Sequence, residues 1–179
     1  MLLGGSAGSF KLIFEIVRNC PHNLNKTVII IIHRKRNFLS EIEKLFVENI
    51  RLNFREITDK DPIQKNTVYI APANYHTLVE KEGYFSLDVS EPVWYSKPSI
   101  DVTFESAADA FGDKCIAILL SGANQDGAEG LLALRKAGAI TIVQNPADAE
   151  VSAMPEAALN INAADYILDA KDIVALINE

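Results

Sequence analysis

Ser6, His33 and Asp126 are the residues of this chain whose types and settings could do chemistry. Each stands just past an apolar run. Met1-Leu2-Leu3 opens into Gly4-Gly5-Ser6-Ala7-Gly8-Ser9, residues 28–32 stop at His33, and residues 115–120 open into Ser121-Gly122-Ala123-Asn124-Gln125-Asp126-Gly127. A serine, a histidine and an aspartate are the types of a nucleophile, a general base and the group that orients the base. If the three runs are parallel strands, all three side chains reach the crevice beyond the strands' carboxyl ends, where open α/β sheets bind ligands.

Taken singly, each residue has a commoner role. Gly4, Ser6 and Gly8 satisfy the Gly-x-Ser-x-Gly nucleophile string, yet a glycine-rich turn with a capping serine is the more frequent object. The same turn is no P-loop, because no Gly-Lys-Ser/Thr follows, and it lacks the dinucleotide-binding spacing. His33 ends the most strand-like run, while His22 and His76 fall in loop and hairpin contexts. Asp126 precedes a helical run and could cap it. Its chemical alternative is to accept the Nδ1 proton of His33, fixing the tautomer. Asp101, Glu105 and Asp109 recur at helical spacing as three candidates for a paired-carboxylate hydrolase, which a solvated helix face explains better. No His/Cys cluster has ligand spacing, so no metal is expected, and hydrolysis by a serine nucleophile needs no organic cofactor.

The elements that must position these residues alternate strand and helix, the pattern of an α/β fold with a mostly parallel, doubly wound sheet. Residues 10–19 carry apolar positions at 10, 12, 13, 14, 16 and 17, a helix with a wide buried face. Residues 28–32 are five consecutive β-branched residues, suited to a central strand covered on both sides. Residues 39–50 are helical. Residues 67–71, 76–80 and 84–88 read as a strand followed by a β-hairpin, which would make the sheet mixed. Residues 91–99, with two prolines, read as an irregular loop. Helices at 100–111, 128–137, 155–159 and 170–177 then alternate with strands at 115–120, 139–143 and 166–168, and Gly138 closes one helix as a C-cap.

The bulk numbers set the class. A chain of 179 residues, 49% hydrophobic and 23% charged, fits one globular domain spanning 1–179 with a sizeable core. No apolar run reaches the roughly 18 residues of a membrane span, and no secretory signal opens the chain, so a cytoplasmic location without membrane insertion is the expectation. Two cysteines, Cys20 and Cys115, make no disulfide framework. A net charge of −7 argues against nucleic acid as a partner, with Arg34-Lys35-Arg36 as the one basic exception, read as a solvated loop end.

The combined motifs resemble the catalytic domain of the chemotaxis protein-glutamate methylesterases, the CheB type. The resemblance rests on Gly4-x-Ser6-x-Gly8, on residues 28–33, and on Thr67-Val68-Tyr69-Ile70-Ala71-Pro72 followed by His76. It continues through Lys97-Pro98-Ser99-Ile100-Asp101-Val102-Thr103-Phe104, Leu119-Leu120-Ser121-Gly122 to Asp126-Gly127-Ala128-Glu129-Gly130, and Ala153-Met154-Pro155-Glu156-Ala157-Ala158. It implies a three-layer α/β/α sandwich. It also implies Ser6 as nucleophile, His33 as base, Asp126 as orienting acid, and hydrolysis of glutamate γ-methyl esters on chemoreceptors. The rim departs from the family pattern: Ala7 and Ser9 follow the nucleophile, Arg34-Lys35 follows the histidine, and Ala123-Asn124-Gln125 fills the aspartate loop.

On that reading the chain is a serine hydrolase whose partner is a methyl-accepting chemoreceptor, with glutamine deamidation as a related activity. Backbone amides of Ala7 and Ala123 would hold the oxyanion. The first strand is short, which suggests an abbreviated N-terminus, and the length leaves no room for a phosphorylatable receiver domain; if the chain is complete, it would be constitutive or regulated by a separate partner. Two alternatives are a non-catalytic receptor-binding module of the same fold and a hydrolase of another ester or amide.

Overall fold

The computed structural model describes residues 1–33 and 39–176. Arg34-Lys35-Arg36 lies outside the described residues.

Among these residues, seven strands form one sheet in the order β3-β4-β2-β1-β7-β8-β9, every neighbouring pair parallel. They are β1 (Leu2–Gly5), β2 (Thr27–Ile32), β3 (Asn53–Glu56), β4 (Thr67–Ile70), β7 (Ile116–Leu119), β8 (Ile140–Gln144) and β9 (Tyr166–Leu168). The hairpin predicted at 76–88 exists as β5 (His76–Val79) and β6 (Phe85–Asp88), antiparallel but in a sheet of its own. The main sheet is therefore not mixed, which corrects the sequence reading. Strand β3 was not expected: its residues Asn53-Phe54-Arg55-Glu56 alternate exposed and half-buried at the edge and carry no apolar run.

Side-chain alternation along the central strands assigns the layers. Leu2, Ile29 and Ile31 point into one core with Tyr69, Ala117 and Leu119, while Leu3, Val28, Ile30 and Ile32 point into the other. The first core is covered by α3 (Ile100–Phe111), α4 (Ala128–Lys136) and α5 (Ala153–Asn160) through Phe104, Leu131 and Met154. The second is covered by α1 (Phe10–Arg18), α2 (Leu39–Asn49) and α6 (Ala170–Leu176) through Ile13, Phe46 and Ile173. This is the expected three-layer α/β/α sandwich. Both cysteines are buried and unpaired, and burial pushes the Cys20 thiol up to about 11.

Topology fixes where a site can form. The chain runs from β1 to β2 on one side of it and later to β7 on the other. Strand order reverses at β1, so the crevice beyond its carboxyl end is the switch point where such sheets bind ligands. Ser6, His33 and Asp126 all come from the ends of these three adjacent strands.

Candidate active site

Gly5 of β1 lies in register with Ile32 of β2, so Ser6 and His33 leave neighbouring strands at one level. The serine turn is tightly tied. Ser6 N donates to Ser121 O at 2.9 Å, Ser9 Oγ donates to Ser6 O at 2.8 Å, and Ser121 Oγ donates to Ala7 O at 2.7 Å. The Ala123 amide donates to Ser6 Oγ at 3.2 Å, so one backbone donor already addresses this hydroxyl. Gly122 makes this closeness possible: a Cβ there would stand 2.4 Å from Met154 Cε and 2.9 Å from Ser6 Oγ.

His33 meets Asp126 at 2.7 Å, through Nε2 rather than the expected Nδ1. Asp126 is fully buried and accepts three further bonds: from Ser99 Oγ at 2.8 Å, Ile100 N at 2.8 Å and Asp101 N at 3.0 Å. Burial alone would raise this carboxyl, but the bonds from His33, the two amides and Ser99 outweigh it and hold the group below the ordinary carboxylate value. An ionised Asp126 only accepts, so His33 Nε2 carries the proton and donates. The sequence alternative, a cap for the following helix, is not what forms. Gly127 holds the N-cap position of α4, and the Asp126 carboxylate sits instead on the first amides of α3, where the helix dipole favours a negative charge.

His33 Nδ1 is left with a lone pair, and Ser96 Oγ lies 3.1 Å from it. Ser6 Oγ therefore rests on the Ala123 amide while Ser96 occupies the imidazole. Ser96 belongs to a tight turn in which Val93 N donates to Ser96 O and Ser96 N donates to Val93 O. The turn borders an open cleft of about 880 Å³ whose walls include Trp94, Tyr95, Ser96, Asn124, Glu129 and Glu156.

A second carboxylate supports the first. Asp101 is buried, so it is not part of a solvated face as the spacing suggested, whereas Glu105 and Asp109 are exposed. It accepts Gly127 N at 2.9 Å, Gly130 N at 2.8 Å and the Trp94 indole N–H at 3.1 Å. Burial pushes its carboxyl up to about 6 against the pull of the Gly130 amide, and the neighbouring charge of Asp126 adds to the rise. Among the described residues, no group of three or more His, Cys, Asp or Glu could hold a metal ion. No described helix is long and apolar enough to cross a membrane.

The profile of the family described as CheB methylesterase matches residues 1–177. The chain belongs to this family. A Methanospirillum hungatei relative named protein-glutamate methylesterase/protein-glutamine glutaminase 1 is 35% identical over 182 residues, and one from Symbiobacterium thermophilum named for the same two activities is 32% identical over 173. Each alignment takes in 97% of this chain and about half of the relative, 53% and 48%. A Leptospira interrogans relative, provisionally named for the same pair, is 35% identical over 98% of this chain and 91% of its own length. The crystal structure of the Thermotoga maritima CheB methylesterase catalytic domain superposes with a TM-score of 0.89 at 26% identity, over 98% of this chain and 96% of that one.

Within this CheB methylesterase fold, several supporting groups escaped the sequence reading. His76 accepts Ser99 N on Nδ1 at 3.1 Å and donates from Nε2 to Glu91 O at 2.9 Å, which holds the start of α3 against Asp126. A serine just before the helical run at 100–111 was a legible cap signal for Ser99. Nothing local announced Ser96.

Proposed function

We propose that this chain is a serine hydrolase acting on glutamate γ-methyl esters of methyl-accepting chemoreceptors, releasing methanol, and that it also deamidates glutamines at such sites. Ser6 Oγ attacks the ester carbonyl and passes its proton to His33 Nδ1, while Asp126 holds the imidazole and stabilises its charged form. The Ala123 amide, with that of Ala7, receives the oxyanion. His33 then protonates the departing methoxide, and water attacks the acyl-serine through the same base, releasing the glutamate carboxylate and restoring Ser6.

The observation that carries this reading is the buried, ionised Asp126 on His33 Nε2, one strand from a serine whose Oγ is already addressed by a backbone amide. Names of the relatives supply the ester and the amide as substrates. A cytoplasmic location and a single domain over 1–179 belong to the same proposal. The competing reading, a non-catalytic receptor-binding module, draws on Ser96 rather than Ser6 occupying His33 Nδ1.

Ser6→Ala decides between them. Methanol release from methylated receptor membranes should fall by at least about 10³-fold, since triad members act as a unit. Unchanged release would sink the mechanism.

A further inference from the structure

We infer that Ser96 is the resting partner of the general base, and that the turn carrying it must withdraw before Ser6 can pass its proton to His33. This rests on the assignment of Ser6 and His33 made above. An imidazole has two nitrogens. Nε2 carries the proton given to Asp126, so Nδ1 offers one lone pair. Ser96 Oγ has one proton and two acceptors, His33 Nδ1 at 3.1 Å and Trp94 O at 3.4 Å, and the nearer lone pair takes it. Ser6 needs the same lone pair to become a nucleophile. Two hydroxyls cannot use it at once.

The backbone of the turn shows that this contact is held rather than relaxed. Its two corner residues, Trp94 and Tyr95, have φ values of 49° and 60°. Such a pair of left-handed residues is the geometry of a type I′ turn, which Asn-Gly adopts readily and large aromatic residues adopt under strain. Three bonds keep the tip in place: the Trp94 indole N–H to Asp101 Oδ2 at 3.1 Å, Asn124 Nδ2 to Trp94 O at 3.1 Å, and Ser96 to His33. Further back, Lys97 Nζ donates to Val89 O and Ser90 O, so the base of the strap is fixed and the tip is the part free to swing.

The cleft supplies the trigger. Trp94, Tyr95 and Ser96 form one of its walls, and the Tyr95 side chain is wholly exposed. A protein segment presenting a methyl ester to Ser6 meets this tip as it enters. The free enzyme is thus self-blocked, and a protein substrate that fills the cleft unblocks it.

A small fluorophosphonate, which reacts with an activated serine without filling the cleft, tests this on the full chain. Ser96→Ala should label about three- to tenfold faster than wild type, the range expected from losing one competing hydrogen bond. Ser96→Thr keeps the hydroxyl and should label at the wild-type rate. Trp94→Phe, which removes only the indole bond to Asp101, should give a smaller acceleration. On methylated receptor, Ser96→Ala should lower KM by a similar factor with kcat retained, because substrate binding no longer has to displace the contact. Equal or slower labelling of Ser96→Ala, with an unchanged unfolding midpoint, would overturn the inference while leaving Ser6 as nucleophile. So would a receptor KM that does not fall in Ser96→Ala. Peptide mapping separates the two claims: label on Ser6 upholds the proposed function, whereas label on Ser96, or labelling that survives Ser6→Ala, overturns both.

Discussion

The two faces of the His33 ring are built in opposite ways. On the Asp126 face every group is inside the protein: the carboxylate is fully buried and takes four donors from β2's end, Ser99 and the first amides of α3. On the Ser96 face the partner sits on an exposed turn whose corner residues are in left-handed backbone. With His33 as the proposed base, the closed face would fix its orientation by satisfying everything around it, and the open face would control access to it through a contact that substrate can exchange. Orientation would then lie in the buried part of the fold and access on its surface.

The largest effect should come from breaking the closed face at its centre. Asp126→Asn turns part of an acceptor-only group into a donor, so donors now facing the amide lose their partner and His33 loses the anion that holds it. Methanol release should fall by on the order of 10⁴-fold. Stability should also fall by about 3 kcal/mol, since each buried donor left unpaired costs roughly 1–3 kcal/mol. Activity assays beside thermal unfolding measure both. A loss of activity under about tenfold would mean that the buried carboxylate does not orient a catalytic base.

The two buried carboxylates have linkages to pH of opposite sign. Asp126 lies below the ordinary value in the folded protein, so its contribution is present above that value and is lost as pH falls. Asp101 is pushed up from 3.8 to about 6, so between these values the folded state holds the proton more tightly and stability declines as pH rises. Above about pH 6 that cost is complete, at up to about 3 kcal/mol from two units of roughly 1.4 kcal/mol each. Asp101→Asn should therefore gain stability relative to wild type between about pH 4 and pH 7. Unfolding midpoints of the pair at both values test it, and a difference that does not move with pH would show that Asp101 carries no such cost.

How much of this was legible follows from where the information lies. The β-branched run at 28–32, the glycine-rich turn around Ser6 and the polar loop before residue 128 are local signals, and they placed three strand ends whose following loops meet at one end of the sheet. Spatial choices were not local. Whether the hairpin joins the sheet depends on which edge the chain reaches after β4. Which imidazole nitrogen meets Asp126, and which helix that carboxylate caps, depend on α3 arriving over β1 and against α4. Asp101 shares its spacing with the exposed Glu105 and Asp109. It is buried because α4 packs against it at Gly130, where a Cβ would stand 2.9 Å from the Asp101 Cα. Ser96 lay in a stretch with no periodicity at all, so its meeting with His33 exists only in three dimensions.

The smallest change should occur at the outermost point of the open face. Tyr95 is fully exposed, so Tyr95→Ala removes almost no buried area, and alanine tolerates φ 60° no better and no worse than tyrosine. Stability should stay within about 0.5 kcal/mol of wild type. The loss should appear in binding, because an exposed aromatic at the mouth of a cleft is the kind of residue that anchors a protein partner. KM for methylated receptor should rise about tenfold with kcat retained, the pattern of an interaction made equally in the ground and transition states. A drop in stability beyond about 1 kcal/mol would instead place Tyr95 in the packed fold and erase the contrast between the two faces. An unchanged KM would leave the contrast standing and remove Tyr95 from the path of the substrate.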